Sequence, residues 1–128
     1  MEAFEKVKIC GMLAEEKKAQ DVVIMKLDDL TDIADYFLVA SGTSERHVRT
    51  IADSVEMGMK ERGVKPYSVE GHRDGRWIII DYQNIIVHIF LEQLRELYDL
   101  ESLWIEAKKF RIENEKKHLE VENEKKGT

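Results

Sequence analysis

Asp35-Tyr36-Phe37-Leu38-Val39-Ala40-Ser41-Gly42-Thr43-Ser44 is the stretch that decides the fold. The apolar run from Tyr36 to Ala40 does not alternate with polar residues. That is the pattern of a strand buried on both faces, so it belongs near the middle of a sheet. Ser41-Gly42 closes the strand and Ser44 is placed to cap a helix. Val48, Ile51, Ala52, Val55 and Met59 then follow at helical spacing until Gly63 stops the pattern. A buried strand that turns directly into an amphipathic helix places helices against a sheet, which is the α/β class.

Working outward, Glu2 to Lys18 is rich in helix formers, with Phe4, Val7, Cys10 and Ala14 along one side. Asp21 opens Val22-Val23-Ile24-Met25-Lys26-Leu27, a strand-length run that ends in the turn-forming Asp28 and Asp29. Beyond the central helix, Pro66 starts an extended piece, Tyr67 to Glu70. Gly71-His72-Arg73-Asp74-Gly75 can turn it back into Arg76-Trp77-Ile78-Ile79-Ile80-Asp81 as a hairpin. Tyr82-Gln83-Asn84 connects to Ile85-Ile86-Val87-His88-Ile89-Phe90. From Glu92 the pattern turns helical with Leu94, Leu97 and Tyr98 on one face, and a short turn covers Leu100 to Trp104. Leu94, Leu97, Leu100 and Leu103 are expected to pack in the core.

The 128 residues and 15.0 kDa have room for one domain, assigned to residues 1–104. Residues 105–128 hold 13 charged side chains around few apolar ones, a composition that buries little surface. Ile105, Ile112 and Leu119 lie seven apart, but Lys108, Glu115 and Glu122 occupy the matching positions, which argues against a coiled coil. Pairs such as Glu113 with Lys117 support a solvated helix, so this segment is expected to be a fraying helical tail dispensable for folding.

The net charge is −6, and residues 1–104 alone, with 13 basic and 20 acidic side chains, carry −7. An acidic body disfavours a nucleic-acid binder and suits a basic protein partner. The lone Cys10 cannot form an internal disulfide, which fits a reducing compartment, the cytoplasm by default. The N-terminal residues mix acids and bases among apolar ones, unlike a secretory signal, and no apolar run approaches membrane-spanning length.

Catalytic chemistry finds little support. His47, His72, His88, His118 and Cys10 share no metal-ligand spacing. His88, inside an apolar strand, reads as a core or edge histidine bonded to a neighbour. No nucleophile elbow surrounds Ser41 or Ser44, and Cys10 lies where burial is expected. Ser41-Gly42-Thr43-Ser44 lacks the Gly-Lys-Ser/Thr ending of a phosphate loop and reads as a capped strand-to-helix turn. Asp35 and Asp81 belong to no Asp-x-Asp or Asp-x-Glu pair, so a magnesium site is not legible and no cofactor is implied. What remains is a C-terminal set: Trp77, Asp81, His88, Glu92, Arg95, Tyr98, Glu101 and Trp104. Trp, Tyr and Arg are the types enriched at binding hot spots, and charges beside them orient a partner.

These residues fall within a wider resemblance, spanning Ala3 to Trp104. Its pieces are Asp21-Val22-Val23, the run from Ala34 to Val48 around Ser41-Gly42-Thr43-Ser44-Glu45-Arg46-His47, Glu70-Gly71, Trp77-Ile78-Ile79-Ile80-Asp81-Tyr82, Val87-His88-Ile89-Phe90, and Arg95-Glu96-Leu97-Tyr98-Asp99-Leu100-Glu101-Ser102-Leu103-Trp104. The chain resembles the Iojap family, known in bacteria as the ribosomal silencing factor RsfS. The resemblance implies a small α/β domain with a mixed sheet flanked by helices, of nucleotidyltransferase-like fold. It also implies a protein that binds ribosomal protein fourteen of the large ribosomal subunit, blocks joining of the small subunit and represses translation when nutrients are scarce.

On this reading Trp77 and Tyr98 are apolar anchors and Asp81, Glu92 and Glu101 charged partners. His88, Arg95 and Trp104 complete the binding set. Two departures stand out. Gln83-Asn84 replaces the Gly-Asp that the family often has, so Asn84 is expected to supply any positive φ in that turn. Residues 105–128 have no counterpart in the family pattern. The alternative, a nucleotidyltransferase-like enzyme acting on a nucleotide or RNA, lacks its carboxylate pair, and fold kinship alone does not imply activity. Further partner readings are an accessory ribosomal RNA contact by Lys108, Lys109, Arg111, Lys116 and Lys117, and a homodimer.

Overall fold

The computed structural model describes residues 1–113 and 118–121. Chain order is α1 (Ala3–Glu16), β1 (Gln20–Lys26), β2 (Tyr36–Gly42), α2 (Glu45–Glu61), β3 (Ser68–Glu70), β4 (Trp77–Asp81), β5 (Ile85–Leu91), α3 (Glu92–Tyr98), α4 (Leu100–Leu103), β6 (Lys108–Glu113) and β7 (His118–Val121). The strands form one mixed sheet in the order β3-β4-β5-β2-β1-β6-β7. The unalternating run from Tyr36 forms β2, the middle strand, and it pairs in parallel with β5. The remaining pairings are antiparallel.

The Ser41–Ser44 turn works as its residue types require. Ser44 Oγ accepts from the His47 N–H at 3.0 Å and caps α2. A Cβ at Gly42 would sit 2.9 Å from Val48 Cγ2 and 3.0 Å from its backbone nitrogen. Only glycine lets the strand and helix approach so closely.

The two faces of the sheet are closed differently. On one, Val22, Ile24, Leu38, Ala40, Ile78, Ile80, Ile85, Val87 and Ile89 meet Val7, Cys10, Leu13 and Ala14 of α1 and Val48, Ile51, Val55 and Met59 of α2. On the other, Val23, Met25, Phe37, Val39 and Phe90 are covered by Leu27, Ala34 and Ala107, with Leu94, Leu100, Trp104 and Trp77 packed against them at partial burial. The second cover is thinner, because α3 has seven residues and α4 four.

Three expectations are corrected. The segment after Trp104 is not a helical tail over its described part. Lys108 to Glu113 is β6, in register with β1 from Val23↔Arg111 to Lys26↔Lys108, and β7 pairs with it in turn. Residues 114–117 and 122–128 lie outside the described residues. Charge content concealed a period of two: Phe110 and Ile112 alternate with Lys109 and Arg111 and join the α1/α2 core, where Ile112 lies against Gly11. Secondly, Leu97 and Leu103 are 72% and 69% exposed, whereas Leu94 and Leu100 pack as expected. Asp99, at φ 40°, breaks the chain between α3 and α4, so one apolar stripe cannot continue through both. Thirdly, Gln83, not Asn84, takes the positive φ, at 75°. The Asp81 carboxylate accepts the Gln83 N–H at 2.7 Å, while Asn84 Oδ1 accepts from Lys6 Nζ and the Asn84 carbonyl from the Asp35 N–H.

Candidate partner-binding face

The thinly covered side of the sheet is lined with aromatic rings. In the β4–β5 register Trp77 pairs with Phe90 and Ile79 with His88, so Trp77, His88 and Phe90 project from one face. Trp77 stacks on Phe90 with centroids 4.8 Å apart and an interplanar angle of 25°. Tyr98, from the end of α3, lies 4.7 Å from Trp77. Phe90 and Tyr98 are themselves 6.2 Å apart, so the three rings form a triangular cluster in which the indole remains half-buried and Tyr98 is 49% exposed. Phe37 of β2 meets His88 edge-on at 4.6 Å and reaches Trp104 at 6.5 Å. The structure therefore brings Trp77, His88, Tyr98 and Trp104 of the expected set into one aromatic cluster. Phe37 and Phe90 join it, although both read in the sequence as ordinary core of non-alternating strands.

His88 is buried, at 6% exposure. Its Nδ1 accepts the Trp77 indole N–H at 3.1 Å, as the reading of a histidine bonded to a neighbour expects. Burial pushes its pKa down from 6.5 to about 4, so the ring is neutral near pH 7. With Nδ1 accepting, the neutral ring carries its proton on Nε2. That nitrogen is buried without a hydrogen-bond partner among the described residues.

Of the charged members of the set, Arg95 and Glu101 hold the frame of the face, whereas Glu92 and Asp81 do not. Arg95, buried at the middle of α3, donates from Nε and Nη2 to the two Glu101 carboxylate oxygens at 3.2 Å each. Its Nη1 reaches Ser41 Oγ at 3.0 Å and the Gln20 carbonyl at 3.4 Å. This forked pairing ties α3, α4 and the ends of β1 and β2 together. Glu92 is exposed and lines a polar cleft of about 530 Å³ together with Glu96, Glu101, Arg95 and Arg111. Asp81 is half-buried at the far end of β4, its carboxylate engaged by the Gln83 N–H.

Apolar side chains missed as site residues flank the cluster. Leu103, Ile105 and Leu30 line one groove of about 360 Å³ with Trp104. Ile105 is 71% exposed, and Leu97 projects from the same short helix as Tyr98. The signal for them in the sequence was the leucine-rich spacing, which equally describes a core.

Among the described residues no group of three His, Cys, Asp or Glu side chains is placed to hold a metal ion. Burial pushes the Cys10 thiol up to about 12 against a smaller opposing effect of Lys6, which leaves it unreactive. His47 Nδ1 accepts the Thr43 N–H at 2.9 Å and its Nε2 bonds to the Lys17 carbonyl at 2.7 Å. One amide of the Ser41–Ser44 turn is thereby bound within the protein, in keeping with a structural turn. In the tail, Lys109 Nζ donates to the carbonyls of Trp104, Ile105 and Ala107, and Arg111 pairs with Asp21. Lys116 and Lys117 lie outside the described residues. No helix among the described residues is long and apolar enough to cross a membrane.

The chain as a whole is similar to proteins of one known family. A family model described as "Ribosomal silencing factor during starvation" matches residues 1–128. The chain is 36% identical over 104 residues to ribosomal silencing factor RsfS of Chromobacterium violaceum, which covers 81% of this chain and 85% of the relative. It is 32% identical over 101 residues to the RsfS of Bacillus subtilis, covering 79% and 86%. A crystal structure of a Chromobacterium violaceum protein superposes with a TM-score of 0.79 at 36% identity, covering 81% of this chain and 87% of that one.

Proposed function

The chain belongs to the RsfS family of ribosomal silencing factors, and from that premise we propose that it binds the large ribosomal subunit through its ribosomal protein fourteen and keeps the small subunit from joining. Its named relatives are silencing factors, a regulatory role, which disfavours the nucleotidyltransferase-like alternative. The observation that carries the proposal is the aromatic face: half-buried Trp77 clustered with Phe90 and exposed Tyr98, in a body of charge −7. Rigid, partly exposed Trp and Tyr rings supply contact area at little conformational cost, the character of a binding hot spot. Acidic surroundings steer a basic partner, so association is faster at low salt while the rings govern dissociation. Docking of a 15.0 kDa body on the face where the subunits meet obstructs their joining sterically.

The test is reassociation of purified large and small subunits, followed by light scattering or sedimentation. Wild-type protein should hold the subunits apart, and a folded Trp77→Ala variant should do so poorly, having lost about 2 kcal/mol of affinity, the threshold of a hot spot. Unchanged reassociation at saturating wild-type protein refutes the reading.

A further inference from the structure

We propose that His88 is a positioning residue for Trp77: its buried Nδ1 accepts the indole N–H and selects the one ring orientation in which the aromatic face fits its partner. The inference rests on the reading of that face as the docking surface for the large subunit. Stacking alone leaves the indole underdetermined. Ring contacts at 4.8 Å to Phe90 and 4.7 Å to Tyr98 hold the indole in a three-ring cluster, but the χ2 torsion of tryptophan has two broad wells, and a turned-over ring can still stack on Phe90. The N–H breaks that ambiguity. Indole is a donor only, and a turned ring would leave the 3.1 Å bond to His88 unmade.

The chemistry of residue 88 points the same way. Its neighbours across the sheet are Val39 and Ile79, and Phe37 packs on its edge. In such surroundings an apolar side chain would be ordinary. Histidine instead buries a second nitrogen, Nε2, that has no hydrogen-bond partner among the described residues, a destabilising feature. The local compensation is the bond to Trp77. At 6% exposure His88 offers a partner almost no surface, so its effect on binding runs through the indole. The face thus depends on a side chain behind it.

The experiment uses the full chain in three variants, His88→Leu, His88→Asn and Trp77→Phe. Asparagine carries an acceptor oxygen on Cγ, where histidine carries Nδ1, whereas leucine keeps bulk without an acceptor. In ¹⁵N-labelled free protein, with the two indole signals assigned by Trp104→Phe, the Trp77 N–H should exchange at least tenfold faster in His88→Leu than in wild type. His88→Asn should restore slow exchange. Affinity for purified large subunits should fall about tenfold in His88→Leu and return to within about threefold of wild type in His88→Asn. In a Trp77→Phe background, where no indole N–H exists, His88→Leu should change affinity less than twofold.

Unchanged indole exchange in His88→Leu overturns the proposal, as does an equal loss of affinity in the Leu and Asn variants. A released indole with undiminished affinity overturns it as well, provided Trp77→Ala still weakens binding. Failure of wild-type protein to bind large subunits removes the docking reading itself, and the exchange data, which need no ribosome, tell that failure from the others. Should His88→Leu not fold, Trp77→Phe decides: affinity equal to wild type overturns the proposal.

Discussion

Replacing His88 by leucine should flatten the acid limb of the stability curve. In the folded chain burial lowers the imidazole from 6.5 to about 4, whereas the unfolded chain titrates near the ordinary value. Between those two values the unfolded state binds a proton that the folded state refuses. Stability therefore falls as the pH drops from 6.5 towards 4 and is fully present above 6.5. At about 1.4 kcal/mol per pH decade, the interval corresponds to about 3 kcal/mol lost between neutral pH and pH 4. No charge opposes or assists this: the groups set against the ring from β2 and β4 are Phe37, Val39, Trp77 and Ile79, and burial alone shifts it. Glu15 and Glu56, raised by burial, act with the opposite sign, since their folded carboxyls hold a proton more readily. They are common to both proteins, so the difference between the two curves isolates His88. At pH 7 the leucine variant loses a bond with a net contribution of about 1 kcal/mol but also removes an unsatisfied buried donor, so its stability should lie within about 1 kcal/mol of wild type. Urea denaturation followed by far-UV circular dichroism at intervals from pH 7 to pH 4.5 measures both. Parallel curves for the two proteins would refute the reasoning.

Truncation after Trp104 should be destabilising by about 3 kcal/mol or more, because it uncovers the β1 edge and removes Ile112, whose burial alone is worth about 1.5–3 kcal/mol. An unaltered urea midpoint would show that β6 is no part of the cooperative unit. Cys10 should resist iodoacetamide at pH 8 in native protein and react promptly in urea, given a thiol pushed up to about 12 by burial; modification at equal rates in both states, read by mass spectrometry, contradicts its place in the core.

The sequence made the centre of the fold legible and its margins less so, for physical reasons. Tyr36 to Ala40 and the spacing from Val48 to Met59 are dictated by burial, and burial is what hydrophobic pattern records. The segment at Lys108–Glu113 failed that test because four of its six side chains are charged, and its strand state is imposed by a partner edge distant in sequence, Val23 pairing with Arg111 and Lys26 with Lys108. The turn at Gln83 turned on Lys6 and Asp35, two distant groups that claim Asn84, which no local rule anticipates. Of the site, the residue types were legible and their roles were not. Arg95 and Glu101 suit a partner-facing pair as well as an internal clamp, and only the approach of Ser41 and Gln20 to Arg95 decides between them. Trp77 and His88, 11 residues apart, become partners only through the hairpin register that sets Ile79 beside His88.

The unequal covering of the sheet follows from the same distribution of groups. α1 and α2 seal one face with side chains that are almost all fully buried, and this face supplies most of the cooperative core. The other face is closed by short elements whose position depends on one guanidinium, since Arg95 joins α3 to Glu101 at the start of α4 and to Ser41 at the end of β2. A clamp of buried, charge-assisted bonds is directional where packing is not, so it fixes the angle at which α3 presents Tyr98 to Trp77. Large apolar groups left exposed beside it, Leu97 and Leu103 among them, are a liability in a monomer and an asset in a surface with a partner. Under the proposed docking reading, stability and recognition fall on opposite sides of one sheet. Substitutions at Trp77 or Tyr98 can then alter binding while the α1/α2 core keeps the chain folded, and a loss of Arg95, which leaves Glu101 without its cation, disturbs both.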